Sequence, residues 1–195
     1  LVVMLATVMV LGLQKSPGAW KKSLLTLTTI GYAFPGAVLG LGILIPLATF
    51  DNWLADLVFA IFRRDPGLLL TGSAGALIVA YCVRFFAIGV GAAEAGLAAI
   101  STNIPLAAST LGRGPKDVLV NIYQPLMRGS LATAMVLVFV DTVKELPATL
   151  LLRPFNFDTL STHVYAQASL ENFHGSTPAA LLIITLSLGA IFLLA

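Results

Sequence analysis

The chain has 195 residues, of which 58% are hydrophobic and only 10% charged, with a formal net charge of +2 and a mean hydropathy of +0.96. A soluble domain carries about one-quarter charged residues, so this composition is that of an all-α integral membrane protein. The small net charge excludes a nucleic-acid partner, and the lone Cys82, set among apolar residues, excludes a disulfide framework or a cysteine metal cluster within the chain.

Residue 1 is a leucine already inside an apolar run, with no basic segment before it, so no signal peptide is read there. That start and the apolar end at Ala195 lead us to expect a fragment of a longer chain. Leu1 to Leu13 is too short for the roughly 20 residues that cross a bilayer and is expected to be the tail of a truncated span. A basic turn follows from Gln14 to Ser23, with Lys15, Lys21 and Lys22 around Pro17 and Gly18. Leu24 to Phe50 is expected to span the membrane as a helix interrupted at Pro35 and Pro46. Its glycines at 31, 36, 40 and 42 would serve kinks and close helix packing rather than line a substrate site.

From Asp51 to Asp65, the residues Trp53, Leu54, Leu57, Val58 and Ile61 share one helical face opposite Asp51, Asp56, Arg63 and Arg64. The pattern predicts a helix lying in the membrane interface. Leu68 to about Val90 returns through the membrane, with Arg84 expected to snorkel to the headgroups.

Thr102 to Arg128 stands out as water-facing, with Arg113, Lys116, Asp117 and Arg128 in an otherwise apolar chain. It predicts two short helices. The first is capped by Asn103, carries Pro105 in its first turn and stops at Gly112. Gly114 makes the bend, Pro115 opens the second helix and Pro125 ends it, with Val118, Leu119, Ile122 and Leu126 as its apolar stripe. Gly129 to Leu152 then spans again, Arg153 to Pro178 is a mixed polar segment, and Ala179 to Ala195 begins a last span, for four membrane helices plus the initial piece. Lys15, Lys21, Lys22, Arg84, Arg113, Lys116 and Arg128 fall on one side and Arg63, Arg64 and Arg153 on the other. That imbalance places the 102–128 hairpin in the cytoplasm.

Within the 129–152 span, Asp141, Lys144 and Glu145 interrupt an apolar helix just before Pro147. Each charge costs roughly 2.5–3.5 kcal/mol to insert, so three together are not expected to face lipid. Asp141 and Lys144 are spaced i,i+3 as a pair, which leaves Glu145 without an evident partner. Two compatible readings stand side by side, a neutral pair packed inside a bundle and a gate in a translocation path. His163 and His174 are eleven residues apart, with Glu171 three before His174, a spacing that does not suggest a complete metal site, and Ser161, Ser169 and Ser176 show no nucleophile motif.

The hairpin resembles the cytoplasmic loop of permease subunits in binding-protein-dependent ABC importers, whose pattern is Glu-Ala-Ala, three residues, Gly, nine residues, Ile, one residue, Leu-Pro. Ala107, Ala108, Gly112, Ile122 and Pro125 match it at the right spacing, while Leu106 stands for the glutamate and Gln124 for the leucine. The run KELPATLLLRPFNFDTLSTHVY, Lys144 to Tyr165, and TIGYAFPGAVLGLGILIPL near the start are similar to ferric-iron importer permeases. The resemblance covers the whole of 1–195, as the C-terminal half of a permease in which two such halves are fused.

It implies the type I ABC importer (MetI-like) helix bundle in the bacterial inner membrane, with 102–128 as the coupling helices. Leu106, Ala107, Ala108, Gly112, Ile122 and Pro125 would then meet a cytoplasmic ATP-binding subunit, and Leu111, Val118 and Ile122 would hold the hairpin to its own spans. The other implied partners are a periplasmic solute-binding protein and a second permease half. On the outer side, Phe155 to Glu171 would form either an amphipathic helix meeting the binding protein or a re-entrant scoop beside the pore. The chain has no GxxxxGK[ST] phosphate loop, so it is expected not to be an enzyme and to bind no cofactor, with ATP and Mg on the partner. Import of sulfate, molybdate or a polyamine stays open beside ferric iron. So do two other classes, an ion-coupled transporter using Asp141, Lys144 and Glu145 as a relay, and a membrane assembly factor.

Overall fold

The computed structural model describes residues 1–15, 18–64 and 66–194, without the side chain of Lys15. The expectations resting on Pro17, Asp65 and Ala195 lie outside the described residues. The described chain is helical: α1 Val2–Gly12, a 3-10 turn Leu13–Lys15, α2 Gly18–Ala33, α3 Gly36–Phe62, α4 Ala74–Ala98, α5 Asn103–Thr110 and α6 Pro115–Val118. A π-helical turn Leu119–Tyr123 leads into α7 Gln124–Lys144, followed by α8 Pro147–Leu152, α9 Leu160–Ser169 and α10 Phe173–Phe192. Four helical stretches are long and apolar enough to cross a membrane, Gly36–Phe62, Ala74–Ala98, Pro115–Lys144 and Phe173–Phe192. The expected number of spans is there, with shifted boundaries.

Helix α4 is the centre of the bundle and packs against α1, α2, α3, α7 and α8. Its small residues make this possible. Ala93 and Val90 join Ala6 and Val10 of α1 and Met127 of α7 in one cluster, and Leu77 and Ala80 join Leu39 of α3 and Leu152 of α8 in the other. Where α2 crosses α4, a Cβ on Gly31 would lie 2.2 Å from the Val83 carbonyl oxygen. Only a glycine lets the two backbones come that close.

The expected span from Leu24 to Phe50 is two helices. Pro35 has no N–H to continue the ladder, and it disfavours the helical conformation at Phe34. The last α2 bond runs from the Phe34 N–H to the Ile30 carbonyl, and the next helix restarts with the Leu39 N–H on the Pro35 carbonyl. Pro46, in contrast, lies within α3 and does not end it. Helix α3 also runs through the region expected as a separate interfacial helix, out to Phe62, and Trp53, Leu57 and Ile61 on it stay uncovered.

Asp51 departs most from expectation. Instead of facing water it is fully buried. Its carboxylate accepts the N–H groups of Leu69 (2.9 Å), Leu70 (2.9 Å) and Thr71 (2.7 Å), which fastens the return segment before α4 onto α3. Asp51→Ala leaves the three part-buried N–H groups without their acceptor and is expected to cost about 2–3 kcal/mol. The melting midpoint of the detergent-solubilised protein reads this directly, and an unchanged midpoint would remove the clamp.

Later boundaries move for local reasons. Ser73 caps α4 by accepting the Ala76 N–H, so the span begins after the expected Leu68 and continues past Val90. Asn172 caps α10 through Gly175, ahead of the expected Ala179 start. Between them, α9 opens with a capping box in which Thr159 and Thr162 each accept the other's backbone N–H. It packs on α10 as a short helical hairpin.

Candidate functional site

The 102–128 segment is built as two helices around Gly112, as its residue types demand. Gly112 has φ +77°. The Arg113 N–H bonds the Ala108 carbonyl (3.0 Å) and the Gly112 N–H bonds the Ser109 carbonyl (3.1 Å), the paired closure of a helix C-terminus that needs a left-handed residue. After Gly114 the chain re-enters a helix at Pro115. Asp117 accepts from Arg113 (3.1 Å) and Asn121 (2.9 Å), stitching the bend to the second helix.

Several expectations for this hairpin change. Asn103 is the first helical residue rather than the cap, and Thr102 before it makes no side-chain capping bond. Pro125 does not end the second helix. With no N–H to offer the carbonyl one turn back, it is accommodated by a widening to a π turn, in which the Gln124 N–H reaches the Leu119 carbonyl, and the helix continues into α7. Ile122 lies in that turn, half-buried. Leu111 does not hold the hairpin to the spans, being 82% exposed. Val118 is buried as expected and Ala108 is buried in place of Leu111, so Ala108 faces its own chain, while Leu106, Ala107 and Pro125 are uncovered.

The second site is where two helix breaks meet. Helix α7 ends at Lys144, Glu145 adopts an extended conformation, and α8 restarts at Pro147. The expected i,i+3 pair forms, with Lys144 Nζ 2.8 Å from Asp141 Oδ1. Glu145, expected to be without a partner, has one in Arg84. The Nε of Arg84 lies 2.8 Å from Glu145 Oε2, and the Glu145 side chain is 6% exposed. That Nε–H is buried yet does not point along a hydrogen bond, so the contact holds by charge rather than by a directed bond. Arg84 therefore does not snorkel. Its Nη1 donates to the Phe34 carbonyl (3.1 Å), at the break between α2 and α3.

Around this pair the packing is tight. The other Glu145 oxygen accepts the Ala148 N–H (3.3 Å), and a Cβ on Gly36 would lie 2.6 Å from it. One turn on, Thr149 donates to the Glu145 carbonyl and shares a 2.6 Å hydrogen bond with Tyr81 of α4. Ser161 donates to the Val143 carbonyl (2.6 Å) and so ties α9 to the same end of α7. The pairing of Arg84 with Glu145 is hidden from the sequence because helical spacing pairs charges only within a turn of one helix. The available signal was one basic and one acidic residue, each inside a different apolar span.

No family model matches the sequence. Over 163 residues, 84% of its length, the chain is 29% identical to the Fe(3+)-transport system permease protein FbpB 2 of Haemophilus influenzae. This chain is a distant relative of a transport-system permease. It spans 29% of that relative's length. The resemblance to an iron-transport permease is thereby borne out at the level of a distant relative, and four helices are long and apolar enough for a multi-pass membrane protein. That relative is, by its printed name, a permease of a transport system, in line with the expectation of a transport subunit rather than an enzyme. In this chain the membrane-length helices α4 and α7 are joined through the hairpin at one end and through Arg84 and Glu145 further along.

Proposed function

We propose that the chain is the membrane-spanning half of an ATP-driven importer of the type I architecture, passing ferric iron from a periplasmic binding protein to the cytoplasm. The observation that carries this is the hairpin. It is braced internally by Gly112, Arg113 and Asp117, runs without interruption into α7, and leaves Leu106, Ala107 and Leu111 uncovered at its tip. A stiff helical elbow with apolar residues on its outer face suits docking into a groove on a separate ATP-binding subunit, with a second permease half alongside. Closure of that subunit would push the elbow, and α7 would carry the push to the Glu145 break. The relative's printed role in Fe(3+) transport supports ferric iron as the solute.

The test is uptake by proteoliposomes holding the complete transporter. Radio-iron should enter only with ATP, its ATPase and the binding protein present, and should persist when the proton gradient is collapsed. Uptake that follows the gradient without ATP would establish the ion-coupled alternative. Against that alternative stand the pairings of Asp141 with Lys144 and of Glu145 with Arg84, which leave none of the three relay candidates unengaged. Competition by sulfate, molybdate or a polyamine in place of iron would reassign the solute.

A further inference from the structure

Arg84 occupies an unusual position. It sits near the middle of α4, the helix on which the bundle is assembled, and the carbonyl and carboxylate it engages belong to the two places where spanning helices are broken. At the first break, Pro35 leaves the Phe34 carbonyl at the C-terminal end of α2, where the helix dipole concentrates negative charge, and Arg84 Nη1 donates to that oxygen. At the second, Glu145 interrupts α7 and its carboxylate meets Arg84 Nε while also accepting the Ala148 N–H of α8. Gly36, the first residue of α3, lies against both side chains: a Cβ there would be 2.6 Å from Glu145 Oε1 and 3.2 Å from Arg84 Nη1.

From this we infer that Arg84 is a positioning residue of the transport cycle, a fixed joint through which displacement of α7 and α8 is passed to α2 and α3. The inference rests on the importer reading for its readout in transport and on the geometry alone for its readout in structure. A guanidinium suits the task because it has several donors in a rigid plane and stays charged when buried. One side chain can therefore hold a carbonyl and a carboxylate from different helices at once. Helices α3 and α8 already touch through Leu39 and Leu152, and Arg84 adds a polar tie across both breaks, neither of which retains a continuous backbone ladder. Glu145 then acts through Arg84, and the pair is one mechanical unit.

A double-mutant cycle tests this on the complete transporter in proteoliposomes. Arg84→Gln and Glu145→Gln should each lower the solute imported per ATP hydrolysed by roughly tenfold, with the binding-protein concentration for half-maximal rate unchanged. The double variant should be no worse than the worse single, since either change already disconnects the joint. Arg84→Lys, which keeps the charge and loses the planar fork, should recover part of the loss. Independently of transport, spin labels at Val38 of α3 and Leu151 of α8, in a Cys82→Ser background, should give one narrow distance in the parent and a broadened one in Arg84→Gln. Gly36→Ala, which crowds the carboxylate without removing a charge, should broaden it too and guards against a variant that fails to fold. Additive losses in the cycle, or unbroadened distances in Arg84→Gln and Gly36→Ala, would overturn the joint. If ATP proves irrelevant to uptake but the distances broaden as expected, the importer reading fails and the joint stands.

Discussion

Glu145→Ala is expected to destabilise the folded chain by about 3 kcal/mol, the lower end for a buried pair, because it leaves the partly covered Arg84 guanidinium without its counter-charge. The cost is mainly the unpaired charge, since the carboxylate's bond to the Ala148 N–H is a single long one at 3.3 Å. From the sequence alone, the same substitution would be expected to impair transport and leave assembly intact. The Arg84 contact changes that expectation, and both should fall. A second variant separates the two effects. In Arg84→Met/Glu145→Leu both charges are replaced by apolar side chains of similar bulk, which for buried pairs is often neutral or stabilising. That variant should fold and accumulate in the membrane at the parent level and still fail to transport. Thermal unfolding in detergent, together with the amount of protein recovered from membranes, decides it. A Glu145→Ala protein melting like the parent would reduce the pair to a surface contact.

Gly112→Trp should abolish capture of the ATP-binding subunit while leaving the spans folded, and the reason has two parts. The φ of +77° costs any L-residue about 1–2 kcal/mol, a penalty that falls on the hairpin turn alone. Within this chain nothing lies within 4 Å of a Cβ placed there, so alanine and tryptophan should strain the turn alike. They part company at the docking face, where an indole would hold the partner away. Gly112→Ala is therefore expected to weaken co-purification of the ATPase by roughly tenfold, in line with the strain energy, and Gly112→Trp to lose it. Gly112→Asn, whose side chain tolerates the left-handed region better, should lie nearest the parent. Equal capture by all four proteins would mean that the partner sits elsewhere and would end the case for the hairpin as its dock.

The apolar runs along the sequence were enough to predict four membrane-length helices, since the runs are long and the few charges fall between or near the ends of most of them. The hairpin was equally legible, because Gly112, Gly114 and Pro115 act through their own backbones and their effects do not depend on what packs nearby. The i,i+3 pair of Asp141 and Lys144 was readable for the same reason, as one helix face contains both.

The errors share a different cause. Asp51 was placed on a polar face by periodicity, yet its ligands are three N–H groups on a return segment that no helical wheel includes. Pro125 reads as a stop, but the turn before it widens instead, with the buried Val118 and Met127 on either side of that turn. Above all, Arg84 and Glu145 lie on separate helices, and each alone is an unfavourable charge in an apolar span. Local pattern along the chain determined where helices form and where they bend. Which bends face each other, and so which charges meet, was decided only by packing around α4, because burial of an ionic group depends on a partner that sequence distance does not reveal.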